Sequence, residues 1–285
     1  MDVGGGSGLR LRDMTADDLA AAHNLSREAK WPHRLEDWDL MLRVGQGIVA
    51  ERDGEVIGTI LGWPYGPAAA TLGMVIVAET ARGGGVGRKL MDAMIERLGE
   101  RAIQLNATPD GLRLYKSLGF EPVGSLHQHQ GTAFSAPIAR LRPEERVRPL
   151  GASDIAAVAA LDGRANGLER AELLAKISEH AQGVVLDRGG EVTGFALFRR
   201  FGRGYVVGPV VARDRDGART LIAHWLGSNS GKFIRIDVPG DCGLIDWLQD
   251  LGLTGVDRVV TMVRGELPAH GRDAATFAIA SQALG

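Results

Sequence analysis

Between Thr71 and Glu100 the apolar positions change their period. Leu72, Met74 and Ile76 alternate with Gly73, Val75 and Val77, so both faces of the segment are apolar, which predicts an interior strand covered on both sides. Arg82-Gly83-Gly84-Gly85-Val86-Gly87 follows. Val86, Leu90, Met91, Met94, Ile95 and Leu98 then recur at helical spacing, with Arg88, Lys89, Asp92, Glu96 and Arg97 on the other side. The predicted order is strand, glycine-rich turn, amphipathic helix. Residues without Cβ let the backbone come close to a ligand. The unpaired N–H groups of a first helical turn, with the helix dipole behind them, favour a phosphate.

The same reading extends in both directions. Leu9 and Leu11 alternate with Arg10 and Arg12 in a short strand, and Thr15 or Asp17 can cap a helix running to about Lys30. Trp31-Pro32-His33 interrupts it, and a second helix runs from about Leu35 to Val44 before Gly45 ends it. Ile48 to Arg52 and Val56 to Trp63 read as an antiparallel pair joined by Asp53-Gly54, a strong hairpin signal. Past the long helix, Ala102 to Asn106 is a strand that must run parallel to the first, because a helix connects the two. A short helix, Gly111 to Leu118, ends at Gly119, and extended structure resumes at Glu121.

A chain of 285 residues, 45% of them apolar, is long enough for two ordinary domains with real cores. Acidic and basic residues nearly cancel, 35 against 33, which removes any general electrostatic case for nucleic acid or an anionic membrane. The expected partner is small, and a homodimer stays open. One cysteine, Cys242, excludes an internal disulfide framework and a cysteine metal cluster, in agreement with a reducing cytoplasm. No apolar run approaches the ~20 residues of a membrane span, and Met1 to Gly8 lacks the basic and apolar regions of a signal peptide. Gly4-Gly5-Gly6-Ser7-Gly8 reads as a flexible lead-in outside the fold.

Three glycine-rich phosphate loops compete for the turn. A P-loop needs Gly-x-x-x-x-Gly-Lys-Ser/Thr, whereas Gly87 is followed by Arg88-Lys89-Leu90, with no hydroxyl for magnesium. A dinucleotide fingerprint fits Gly83-x-Gly85-x-x-Arg88 badly and should open a βαβ unit with an acidic residue closing the next strand. What remains is Arg-x-x-Gly-x-Gly after a strand, filled by Arg82, Gly85 and Gly87. Further on, Tyr115 stands three residues before Leu118-Gly119-Phe120. In this order and spacing the two motifs resemble the acetyl-CoA pyrophosphate loop and the second signature of the GNAT acetyltransferase superfamily, over about Leu9 to Thr132. The resemblance implies acetyl-CoA as cosubstrate, no metal, and a pantetheine arm lying between two splayed parallel strands. It implies that backbone groups of Ile76 and Val77 bond the arm and the thioester oxygen. Arg82, Gly83, Gly84, Gly85, Val86, Gly87 and Arg88 would hold the pyrophosphate, and Asn106 on the second parallel strand would be a further cofactor contact.

Around Pro137 to Pro143 the chain turns to proline and arginine, and then the pattern starts over. Arg146 to Leu150 and a helix from Ser153 repeat the opening. Gly183 to Gly194 aligns without a gap to Gly47 to Gly58, sharing glycines, an arginine and a Glu-Val pair. The expected class is α/β (α+β): two tandem GNAT folds, as in bacterial tandem-GNAT acetyltransferases, each a mixed central sheet flanked by helices. Residues 9–136 form the catalytic copy, 137–145 a linker and 146–285 a degenerate copy. Aligning Arg213 with Arg82 puts Asp216 at the Gly85 position, where a carboxylate repels a pyrophosphate. Aligning Leu251-Gly252 with Leu118-Gly119 puts Leu248 where Tyr115 stands. One active site per chain is expected, the second copy buttressing the first or walling its acceptor cleft.

Acetyl transfer to an amine needs a neutral nucleophile, donors for the oxyanion and a proton for the departing thiolate. Tyr115 is the natural acid, a phenol of pKa ~10 that keeps its proton at pH 7; packing along Leu112, Tyr115 and Leu118 is the other reading of it. Thr71 to Val77 contains no carboxylate, so a base must come from elsewhere. His127 and His129 alternate with Leu126, Gln128 and Gln130 and share one strand face. Two readings stand: His129 as base with His127 near the acceptor, or a hydrogen-bonded structural pair. With no cysteine or clear third ligand nearby they fall short of a zinc constellation. Trp31, His33, Asp37 and Trp38 occupy the helix break that borders the acceptor site in GNAT domains. Trp31 and His33 are expected to meet a small-molecule or peptide amine, Trp38 to pack in the core, and Glu28 to attract the amine or lie on a solvated face. The resulting reading is a cytoplasmic N-acetyltransferase using direct transfer, with a non-catalytic acyl-CoA-binding sensor as the alternative.

Overall fold

A computed structural model of the chain describes residues 8–134 and 141–285, so residues 137–140 of the expected linker and most of the glycine-rich lead-in lie outside the described residues. The first half runs β1 (Arg10–Asp13), α1 (Leu19–Glu28), α2 (Leu35–Arg43), β2 (Gln46–Arg52), β3 (Glu55–Tyr65), β4 (Ala69–Val77), α3 (Val86–Leu98), β5 (Ala102–Ala107), α4 (Leu112–Ser117) and β6 (Glu121–Thr132). The second runs β7 (Glu145–Pro149), α5 (Ile155–Asn166), α6 (Ala171–Ser178), β8 (Ala181–Arg188), β9 (Glu191–Phe201), β10 (Gly204–Ala212), α7 (Arg215–Ser228), β11 (Phe233–Pro239), α8 (Ile245–Asp250) and β12 (Thr254–Arg264), and adds β13 (Ala275–Ala278). One element starts later than the apolar pattern predicts. The Asp18 carboxylate accepts the Thr15 N–H at 2.8 Å, Ala16–Asp18 winds as a 3-10 turn, and α1 proper begins at Leu19.

The duplication is visible in side chains as well as in element order. Arg12 Nε donates to Glu51 at 2.7 Å, and both its amino groups donate to Asp18 at 2.8 Å. Displaced along the chain by one constant interval, Arg148 Nε donates to Asp187 at 2.8 Å and its amino groups to Asp154 at 2.7 and 2.9 Å. Each forked guanidinium pins the first strand of its half to the hairpin and to the start of the first helix. The hairpins also bulge at the aligned place, between Ala50 and Glu51 and between Leu186 and Asp187.

All strands belong to one 13-stranded sheet, in the order β1-β2-β3-β4-β5-β12-β6-β11-β10-β9-β8-β7, with β13 on β10. This order contains an exchange. β6, the last strand of the first half, pairs antiparallel with β11 of the second; β12, from the second half, pairs antiparallel with β5 of the first; and the two exchanged strands pair with each other. Helices α3 and α4 cover one face of β2–β5, enclosing Leu90, Met91, Met94 and Leu98, and α7 and α8 cover the corresponding strands of the second half. The other core contains residues of both halves, among them Trp38 and Met41 of α2, Leu161 of α5, Ile177 of α6, Phe195 of β9 and Leu284 of the C-terminal segment. A buried ion pair, Arg170 with Asp162 at 2.7 Å, borders it, and Tyr65 Oη donates to the Leu284 carbonyl at 2.8 Å.

The feature that positions the site is the end of β4. This strand pairs with β5 only through Ala69–Thr71 against Ala102–Gln104. Its register against β3 then jumps between Gly73 and Ile76; Met74 takes φ +54°, and Thr59 Oγ1 donates to the Met74 carbonyl at 2.8 Å. A non-glycine residue in the left-handed region costs about 1–3 kcal/mol and persists where surrounding bonds fix it. Beyond the bulge the two parallel strands part in a V.

The exchange generates a prediction about the halves. A fragment of residues 9–136 leaves β5 without β12 and β6 without either of its neighbours, so it should show no cooperative transition in denaturant titrations followed by circular dichroism. A sharp two-state transition from a monomeric fragment would show that the exchange is dispensable.

Candidate active site

The open V of β4 and β5 meets the N-terminus of α3. Gly85, at φ +75°, is the residue before the helix, and no side chain caps the first turn. Gly83 also has positive φ, and a Cβ added at Gly83 or Gly85 would meet no atom within 4 Å. These glycines answer to backbone conformation and to open space, not to packing. First-turn N–H groups and the positive end of a 13-residue helix face that space, so the loop fits a pyrophosphate. Arg82 is exposed beside it, and Arg88 donates to Ser117 Oγ at 3.1 Å, tying α3 to α4. The Val86 side chain is buried in the core beneath, which leaves only its backbone for a ligand. Ile76 and Val77 lie past the last β4–β5 pair.

Tyr115 stands on α4 with its N–H on the Gly111 carbonyl at 3.0 Å and its ring edge-on to Phe120, centroids 6.2 Å apart. Glycine is needed at 111, because a Cβ there would come within 2.4 Å of the Tyr115 ring. Burial pushes the Tyr115 phenol up to about 12, so it holds its proton firmly at neutral pH. Tyr65 is pushed up to about 12 for the same reason, but its hydroxyl is committed to the Leu284 carbonyl.

On the α1–α2 side of the V lies a cavity of about 340 Å³. Trp31 and His33 line it from the helix break, Met74 from the bulge, and Gln128 and Gln130 from β6. Phe201, Tyr205, Arg235 and Asp257 come from the second half. The β9–β10 turn is held against the break by Asp37, which accepts the Gly202 N–H at 2.9 Å and an Arg34 amino group at 2.7 Å. Burial works against the charge on Asp37, yet these bonds hold its carboxyl below the usual range. Burial, with the Arg235 charge nearby, pushes His33 down to about 4, and its Nδ1 has no hydrogen-bond partner among the described residues.

Four expectations are corrected by these positions. The strand alternation of β6 turns Gln128 and Gln130 to the cavity and the histidines to the opposite face. His129 is enclosed, with Nδ1 3.0 Å from the Leu253 carbonyl, so it is a buried structural residue and not a base at the cavity. His127 pairs with Ser125 Oγ at 3.3 Å and does not line the cavity either. Glu28 is exposed at the end of α1, away from the lining. Asn106 does reach the cavity wall, but its amide is spent on structure: Nδ2 donates to the Gln282 carbonyl and Oδ1 accepts from Thr261, both at 2.8 Å. Trp38 lies in the core as expected, its Nε1 on Ser26 Oγ at 3.2 Å.

The corresponding V of the second half is filled by the chain itself. β10 pairs with β11 only at Tyr205 and Val206; farther along, β13 pairs with Val210, Val211 and Ala212. Val211 and Ala212 face Phe195 and Gly194 as Ile76 and Val77 face Thr59 and Gly58, so β13 takes the edge that β4 leaves open. The helix start is closed too. Asp214 caps α7 by accepting the Gly217 N–H at 2.9 Å, and Arg142 bridges to it at 2.8 Å. The carboxylate at this place is Asp214, while Asp216 is exposed.

Two models described as acetyltransferase (GNAT) domains match residues 44–122 and 158–278. The chain belongs to the GNAT acetyltransferase family. Its two GNAT folds stand in tandem, each a mixed sheet flanked by helices. The chain is 28% identical to a Bacillus subtilis protein named uncharacterized N-acetyltransferase YitH, over 92% of this chain and 93% of that protein. It is also 28% identical to the holothin acyltransferase of a Pseudoalteromonas species, over 78% of this chain and 75% of that protein. A solved tandem GNAT protein from the clavulanic acid biosynthesis pathway shares the fold at TM-score 0.66 and 14% identity, over 92% of this chain and all of that one. No helix among the described residues of this GNAT protein is long and apolar enough to cross a membrane.

The buried phenols make a measurable claim. In an alkaline absorbance titration Tyr65 and Tyr115 should ionise only near pH 12, and Tyr115→Phe should remove one of the two late steps. Because both bind their protons more tightly folded than unfolded, stability is unaffected below about pH 10 and falls between about 10 and 12. A Tyr115 step at ordinary phenol pH would mean that water reaches the hydroxyl.

Proposed function

We propose that the first half is an acetyl-CoA-dependent N-acetyltransferase that acylates a primary amine of a small molecule or peptide by direct transfer, at one site per chain. The observation that carries this reading is the contrast between the two helix starts: α3 is uncapped and opens on Gly83 and Gly85, whereas α7 is closed by Asp214 and its V by β13. Bound acetyl-CoA supplies an activated acetyl thioester. The N–H groups from Gly83 to Gly87, with Arg82 and Arg88 beside them, hold the pyrophosphate, and the outward backbone of Ile76 and Val77 holds the arm. As the C–N bond forms and the C–S bond breaks, Tyr115 gives its Oη proton to the departing thiolate, and the proton shed by the amine nitrogen restores the phenol. His33, kept neutral by burial, helps to line the cavity where the amine is received. The second half walls the acceptor cavity and takes no cofactor. Cys242 lies buried in that half, in keeping with a reducing, cytoplasmic setting and with transfer that needs no acyl-cysteine. The relatives' names, N-acetyltransferase and acyltransferase, support acyl transfer.

Calorimetry should give one acetyl-CoA per chain for the wild type. Gly85→Asp adds a carboxylate at the start of α3 and a Cβ at a left-handed position, so the variant, checked as folded by circular dichroism, should lose affinity by roughly 10²-fold or more. Unchanged affinity would place the pyrophosphate elsewhere, and two equivalent sites would refute the assignment of the second half. Tyr115→Phe should keep affinity and fold while turnover drops by roughly 10²-fold, the scale of a positioned acid. Full turnover in that variant removes the acid role.

A further inference from the structure

Arg235 reaches the cavity with part of its guanidinium unused. Its Nε donates to both oxygens of Asp237 at 3.0 Å and Nη2 donates to one of them at 2.7 Å; the pair is buried. Nη1 has no hydrogen-bond partner among the described residues, although the residue is only 8% exposed and lines the cavity. The fork with Asp237 fixes the plane, so the free amino group has a set direction instead of a swinging arm.

The surroundings hold a surplus of positive charge. Arg199 is buried over the same Phe201 ring as Arg235, at 5.0 and 5.3 Å from its centroid. Arg199 donates to the carbonyls of Ala280 and Arg200, and its Nε has no partner. Burial pushes its pKa down to about 10; the Asp37 and Asp237 charges oppose this, and the Arg34 and Arg235 charges act in the same sense as burial. Asp237 answers Arg235, and Asp37 is committed to Arg34 and the Gly202 N–H. At the rim, exposed Lys30 and Arg203 outnumber exposed Asp257. A buried cation without a carboxylate is costly, and a ligand anion relieves that cost.

We propose that the acceptor is a small amine with an apolar body and an anionic group, the anion docking on Nη1 of Arg235 while the amine reaches the β4 bulge at Met74. This rests on the acetyltransferase reading. The rings of Trp31, Phe201 and Tyr205 receive the apolar body, and His33, kept neutral, takes no part in binding the anion.

The test compares matched ligands on the full chain saturated with CoA: a panel of small aromatic and aliphatic amines, each as carboxylate, carboxamide and phosphonate. Calorimetry should show the anionic forms of at least one scaffold binding tenfold or more tighter than the carboxamide, the scale of a charge-assisted hydrogen bond. The carboxylate and phosphonate arms tell which anion the cavity prefers. Arg235→Lys, which keeps a charge for Asp237, should erase most of the difference while CoA affinity holds. If no scaffold favours its anion, or if the preference survives in a folded Arg235→Lys, the proposal is wrong. The wild-type comparison stands even if the variant misfolds. Failure of CoA itself to bind would instead sink the acetyltransferase reading.

Discussion

The pairing of β6 with β12 is the contact on which the rest of this molecule depends. Backbone groups inside a sheet must be paired, and here each half supplies the strand that satisfies the other. Register then does the placing. Gln128 stands opposite Asp237 and Gln130 opposite Arg235, while Gln128 also stands opposite Asp257 on the other side. The cavity wall is therefore a single stretch of sheet with contributions from both halves. Neither half could form it alone, because the strand carrying the glutamines and the strand carrying the arginine meet only through the exchange.

Duplication produced two V-shaped openings, and burial explains why only one stays open. Val210, Val211 and Ala212 are fully enclosed, so unpaired N–H and C=O groups there would each cost about 1–3 kcal/mol. β13 supplies the partners. In the first half Val75 and Val77 are half-buried at the mouth of the V, where water or a ligand can serve the same groups. The two helix starts follow the same logic. Asp214 satisfies the first turn of α7 from within, and the first turn of α3 is left to solvent and ligand by a run of glycines.

Much of this was legible in the residues, and the reasons are local. The change of period around Gly83 to Gly87 gave strand, turn and helix, and the aligned hairpins gave the duplication. What stayed hidden is non-local. Alternation along β6 says that His127 and His129 share a face but not which face looks into a cavity, since a period of two is blind to the choice. That choice was settled by β11 and β12, strands more than a hundred residues away. The glutamines carried the signal, by occupying the alternate positions, but nothing in the chain order favoured them over the histidines. Asp214 was hidden for a smaller reason: the register of the second loop shifts by two residues once Asp214 becomes the cap, so an alignment anchored on Arg213 points at Asp216.

The two ends of the site are built from different materials. The end at the start of α3 is made of backbone: left-handed glycines, an uncapped helical turn, and a bulge held by Thr59. Such a surface tolerates change in most side chains around it, provided the conformations at Gly83, Gly85 and Met74 survive. The cavity end is made of side chains, and many of them come from the second half, whose own V is filled by β13. A change at Tyr205, Arg235 or Asp257 alters the cavity without touching α3 or the loop before it. Under the proposed function, change in the second half would therefore alter the choice of acceptor while the donor end stayed as it is.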